Sequence, residues 1–119
     1  MAETNDPDTD PVLTALDNLV EALTQNIEVS QLAMRRARTI KELRAKGLAY
    51  KVIADETGQP LVVQLVTENL DRLRVYGAQL RHAHAAALHD EGLTMDQIAE
   101  LFGVTRQRIS ALLRSGREE

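Results

Sequence analysis

From Leu13 onward, apolar residues recur at alternating steps of three and four: Leu13, Leu16, Val20, Leu23, Ile27, then Met34 and Ala37 after a polar Ser30. Such steps place side chains on one face of an α-helix, so a long helix is predicted here. Asp10 precedes it as an N-cap, and Pro11 stands at the first helical position, where its missing N–H is no loss. Leu13, Val20, Ile27 and Met34 fill one heptad register, and Leu16, Leu23, Ser30 and Ala37 the other. β-Branched residues in the first with leucine in the second favour a parallel two-stranded coiled coil. The pattern weakens after Ile27, and the stripe serves either to dimerise two chains or to pack the helix onto its own domain. Thr39 with Glu42 forms a further capping box, which predicts a break there and assigns this helix to residues 11–38.

A second pattern occupies residues 39–80. The segment "GLAYKVIADETG" at 47–58 aligns with "GLTMDQIAELFG" at 92–103 at a constant offset of 45, with identities at Gly47, Leu48, Ile53, Ala54 and Gly58. An internal duplication of a helical hairpin would produce this spacing. After Gly58 comes "QPLVVQLV", with no basic residue, and a helix from Pro60 would carry Leu61, Val62, Leu65, Val66, Leu70 and Leu73 on one wide apolar face. Such a face is expected to be buried, making the first copy a degenerate helix-turn-helix used for packing or dimerisation.

The second copy, within residues 81–119, is complete. Thr94 and Gln97 make a capping box, so a helix should start near Met95. Gly103 ends it after about two turns, since glycine enters the left-handed conformation without the penalty of a Cβ. Thr105 then caps a helix running from Arg106 toward Arg114, leaving Gly103, Val104 and Thr105 as a sharp corner. The corner holds only if both helices bury a shared face. Ile98, Ala99 and Phe102 supply one side of it, Val104 the turn, and Ile109, Leu112 and Leu113 the other. This is the helix-turn-helix pattern, in which the second helix is held out to enter the DNA major groove.

With those residues inward, a turn of about 100° per residue sends Gln107, Ala111 and Arg114 outward, with Arg106, Arg108 and Ser110 on the flanks. Ala111 and Ser110 are small enough for close approach to a groove. Glutamine pairs bidentately with adenine and arginine with guanine, so Arg106 and Gln107, at the helix start, are the expected base readers. Thr105 sits at the same end. Arg108, Arg114 and Arg117 are expected to hold phosphates, and Arg35 and Arg36 of "MRRARTIK" add contacts beside the groove, unless they form only a solvated basic face.

The stretch "GVTRQRIS" resembles the recognition-helix start in region 4 of bacterial sigma factors. The longer "EGLTMDQIAELFGVTRQRISALL" is similar to the helix-turn-helix of small bacterial, particularly actinobacterial, transcriptional regulators. The shared segment covers about a fifth of the chain, and nothing resembling sigma region 2 accompanies it. The resemblance therefore implies a promoter-type reader of double-stranded DNA and does not imply a sigma factor. Resolvase-type recombinases carry a similar DNA-binding end, but their catalytic domain would not fit in the remaining residues.

Composition narrows the fold. Of 119 residues, 44% are apolar and only 3% aromatic, so the core must be aliphatic, which favours packed helices and an all-α class. Cysteine is absent, which excludes disulfides and thiolate zinc sites. No apolar run reaches the length of a membrane span and the first residues are acidic, so a cytoplasmic location is expected. The net charge of −4 looks wrong for a DNA binder until it is divided: residues 1–33 carry −7 and residues 34–51 carry +6. Residues 103–117 hold four arginines and no acid. Residues 1–10, acidic and poor in apolar side chains, are expected to be a disordered tail. His82 and His89 share a helix face, but His84 does not join them, so no metal site is expected, and no cofactor. No nucleophile has an adjacent base and orienting acid, and no phosphate loop is present, so binding is expected and catalysis is not. The expected protein is a homodimeric DNA-binding regulator. Its rival from another class is an adaptor that docks on a partner such as RNA polymerase.

Overall fold

A computed structural model of the protein describes residues 10–118, with side chains through Arg114. The expected acidic tail, Asp10 apart, lies outside these residues. Every regular element among them is an α-helix: α1 (Pro11–Ala45), α2 (Tyr50–Thr57), α3 (Val62–Asp90), α4 (Met95–Phe102) and α5 (Arg106–Glu118). The class is all-α. The chain divides into two compact units, to each of which α1 and α3 contribute. Unit 1 takes the described residues up to Leu19 and those from Tyr76 onward, and unit 2 is Val20–Val75. No helix among the described residues is long and apolar enough to cross a membrane.

Asp10 starts α1 as expected, its Oδ1 accepting from Val12 N–H at 2.9 Å. The break expected at Thr39 does not occur. Thr39 Oγ1 donates to the Arg35 carbonyl one turn back at 3.1 Å, so the hydroxyl is used inside a helix that continues to Ala45.

The apolar stripe of α1 is not the buried face of the helix. Leu13, Leu16, Val20, Leu23, Ile27 and Met34 are all exposed, whereas Ala15, Ala22 and Asn26 are buried. In unit 2, Asn26 Nδ2 donates to the Asn69 carbonyl and Asn69 Nδ2 to the Asn26 carbonyl, both at 3.2 Å. Arg72 Nη1 donates to Asn26 Oδ1 at 2.7 Å, so both ends of the buried amide are engaged. Further along, Arg36 Nη1 donates to the Pro60 carbonyl. As α1 advances from 26 to 36, its partners retreat from 69 to 60, so the two segments of unit 2 run antiparallel.

The helix expected from Pro60 begins at Val62, with Gln64 Oε1 accepting from Leu61 N–H at 2.6 Å. Its wide apolar face is not buried as expected. Only Leu65 is, at 3% exposure, while Leu61, Val63, Val66 and Leu70 are exposed and Val62 and Leu73 half-buried. The chain covers Leu65 fully and Val62 and Leu73 in part, and leaves the remainder of the face exposed.

The offset of 45 reappears in backbone hydrogen bonding. Gly47 N–H donates to Arg44 and Leu48 N–H to Leu43 at the end of α1; Gly92 N–H donates to His89 and Leu93 N–H to Leu88 at the end of α3. Both are Schellman endings with a glycine at positive φ, 95° and 104°. α2 and α4 then have eight residues each and stop at Gly58 and Gly103.

Candidate nucleic-acid interface

The C-terminal helix pair is built by three local devices. Gln97 N–H donates to Thr94 Oγ1 at 3.1 Å and Thr94 N–H to Gln97 Oε1 at 2.8 Å, the reciprocal capping box that starts α4. Gly103, at φ 69° and ψ 32°, ends α4 with its N–H on the Glu100 carbonyl, while Val104 N–H reaches Ala99 at 3.0 Å. Thr105 Oγ1 then accepts from Arg108 N–H at 3.1 Å and starts α5. An added Cβ at Gly103 would meet nothing within 4 Å, so only backbone strain opposes it. Gly103→Ala is expected to destabilise unit 1 by about 1–2 kcal/mol, read as a lower urea midpoint; an unchanged midpoint would contradict the left-handed corner.

Beneath the corner lies one apolar core. Ala85 of α3, Ile98 and Ala99 of α4 and Ile109 and Leu113 of α5 are buried, with Phe102, Val104 and Leu112 packed against them. Ile98 and Ile109 are the largest fully buried side chains. This core fixes the rotation of α5. With Ile109 and Leu113 inward, Arg106, Gln107, Arg108, Ala111 and Arg114 are exposed and Ser110 is half-buried, as the helical wheel predicts; Thr105 is exposed at the helix start.

Two features of this surface escape the sequence. Arg106 Nη1 lies 3.8 Å from Asp96 Oδ2 in the first turn of α4. Both side chains are solvated, so the pair is weak, yet it draws Arg106 toward α4 and leaves Gln107 the less encumbered of the two expected readers. Arg81 of α3 lines an open cleft of about 300 Å³ together with Phe102, Val104, Arg108, Ala111 and Leu112. A guanidinium from α3 thus stands beside the flank of α5 that carries Arg108, and Arg81 belongs with the candidate phosphate contacts. No spacing rule connects Arg81 to Arg108, since only packing brings α3 and α5 together.

The remaining expected contacts fare differently. Arg117 lies outside the residues whose side chains are described. Arg35 is exposed in unit 2, while Arg36 is half-buried and its Nη1 is engaged by the Pro60 carbonyl. Arg36 thereby ties α1 to the connection before α3. Of the histidines, His84 packs against the Phe102 ring at a centroid distance of 5.5 Å. Among the described residues no group of His, Cys, Asp or Glu is arranged to hold a metal ion.

Chemically, the outward face of α5 offers amide and guanidinium donors around a small residue, Ala111, on a helix anchored by Ile109 and Leu113 in the apolar core. That set suits the acceptor-rich major groove and the phosphates that border it. Comparison of the chain with protein-family models, with curated proteins and with solved structures finds no match.

Proposed function

We propose that this chain is a sequence-specific, double-stranded DNA-binding transcriptional regulator of the small bacterial kind, working in the cytoplasm as a homodimer. The observation that carries the reading is the exposed face of α5, where Arg106, Gln107, Arg108, Ala111 and Arg114 stand clear of a core that fixes their direction. Gln107 reads a base edge, Arg106 assists it, and Arg108, Arg114 and Arg81 hold phosphates. A dimer would place two such helices on half-sites about one DNA turn apart or a multiple of it. Catalysis has no part in this reading.

The test is a selection of bound fragments from a random DNA pool, followed by sequencing. Recovery of one motif, arranged as two half-sites, is expected. Recovery of unselected sequence would favour the rival reading, an adaptor that docks on a protein such as RNA polymerase, which draws its support from the exposed apolar residues of unit 2.

A further inference from the structure

Two apolar stripes in unit 2 remain largely exposed in the single chain. Measured around α1 from Asn26 at about 100° per residue, Val20, Leu23, Ile27 and Met34 all fall roughly 60–120° away in one sense. Measured around α3 from Asn69 in the same sense, Val63, Val66, Leu70 and Leu73 fall roughly 40–120° away. In an antiparallel pair, equal rotations of one sense lead to the same side, so the two stripes form a single face. Ile27 is 60%, Val63 65% and Leu70 63% exposed on it. Seven large apolar side chains exposed on one side of a 56-residue unit go well beyond the scattered apolar residues of an ordinary surface.

The second helices of the two hairpins match when the buried residues Leu65 and Ile109 are superposed. Val63, Val66 and Leu70 then occupy the positions of Gln107, Ser110 and Arg114. The same helix face carries apolar chemistry in the first hairpin and polar, basic chemistry in the second.

We infer that this face is the homodimer interface, and that two copies meet with α1 antiparallel to α1 and α3 antiparallel to α3. It rests on the homodimer of the reading above and supplies its surface and its orientation. Two observations select a second copy in this arrangement. First, the stripe on α1 from Val20 to Met34 is centred on Ile27, and that on α3 from Val63 to Leu73 on Glu68. The reciprocal Asn26–Asn69 hydrogen bonds put those two centres level. A single two-fold axis crossing both helices therefore serves both stripes at once. Second, charge on α1 within unit 2 is divided about the same centre: Glu21 and Glu28 stand on one side or at it, and five basic residues between Arg35 and Arg44, against the single acid Glu42, on the other. Antiparallel pairing brings the acidic half of α1 alongside the basic half of α1 in the second copy. The parallel coiled coil that the heptads favour sets each against itself, which like charges oppose.

Sedimentation without DNA tests the interface separately from the reader helix. The wild type is expected to be a dimer at micromolar concentration. Ile27→Asp, and independently Leu70→Asp on the other helix, should raise the dimer dissociation constant by about 100-fold or more through burial of an unpaired carboxylate, with helical circular dichroism retained because both positions are exposed in the single chain. A monomeric wild type would overturn the inference and assign the face to another protein, without touching the reading of α5. Dimers unaffected by both substitutions would overturn it as well. Orientation is read by spin labels, for which the cysteine-free chain is well suited. Labels at Glu28→Cys should lie close together across the two-fold axis, whereas labels at Arg38→Cys should be separated by about 30 Å along the helix direction, at 1.5 Å per residue. Short distances at both positions would mean parallel helices and would overturn the arrangement.

Discussion

Leu65→Asp is expected to abolish the folded state of unit 2. Leu65 is 3% exposed on α3, where its neighbours Gln64 and Val66 both face solvent. Truncating a buried leucine alone removes about 2–5 kcal/mol. A carboxylate in the same place adds a desolvation penalty of several kcal/mol. The total rivals the roughly 5–15 kcal/mol that hold a domain of this size together. Loss of most helical circular dichroism at 25 °C is the expected readout. Thr67→Asp, on the exposed side of the same turn, should change stability by no more than about 0.5 kcal/mol. Gln64→Ala removes the acceptor that Leu61 N–H uses, so it should cost about 1 kcal/mol and leave DNA affinity unaltered. If Leu65→Asp melted like the wild type, the first hairpin would not be packed through this residue.

The second large effect separates base reading from phosphate holding. Gln107→Ala is expected to cost about 1–3 kcal/mol at the preferred DNA sequence and to relax preference at one position. It should barely change affinity for random DNA. Arg114→Ala, and Arg81→Ala beside it, should weaken all sequences alike and reduce the salt dependence of binding by roughly one unit for each phosphate no longer neutralised, doubled in a dimer. The measurement is affinity for selected and random fragments across a salt series. Should Arg114→Ala alter base preference while Gln107→Ala lowers both affinities equally, α5 enters the groove rotated from the face described. If none of the three changes binding, α5 is not the reader. Arg106→Ala is expected to fall between these classes, because its ion pair with Asp96 competes with DNA for the guanidinium.

What can be read from the chain alone divides sharply from what cannot, and the dividing line is sequence separation. Asp10 capping α1, the Thr94–Gln97 box, the left-handed Gly103 and the Thr105 cap are closed by hydrogen bonds spanning two to five residues. Everything those bonds need is in one short stretch, so the corner between α4 and α5 and the outward set Gln107, Ala111 and Arg114 are legible in the sequence. Thr39 shows the limit even at short range, since the same hydroxyl either caps a new helix or bonds back to Arg35, and only the continuing helix selects the second.

The rotation of α1 is decided by tertiary structure. Judged by hydrophobicity, the line through Leu16, Val20, Leu23 and Ile27 is the buried one, yet the chain turns Ala15, Ala22 and Asn26 inward. Small residues allow close approach, and Asn26 finds Asn69 and Arg72 at more than 40 residues' distance, satisfying polar groups that no local pattern could have paired. The engagement of Arg36 by Pro60, the proximity of Arg81 to Arg108 and the exposure of Val63, Val66 and Leu70 follow from the same cause. Periodicity states that a helix has an apolar face. Which side of it meets its own chain depends on where the other helices lie, and that is settled only when the long-range contacts form.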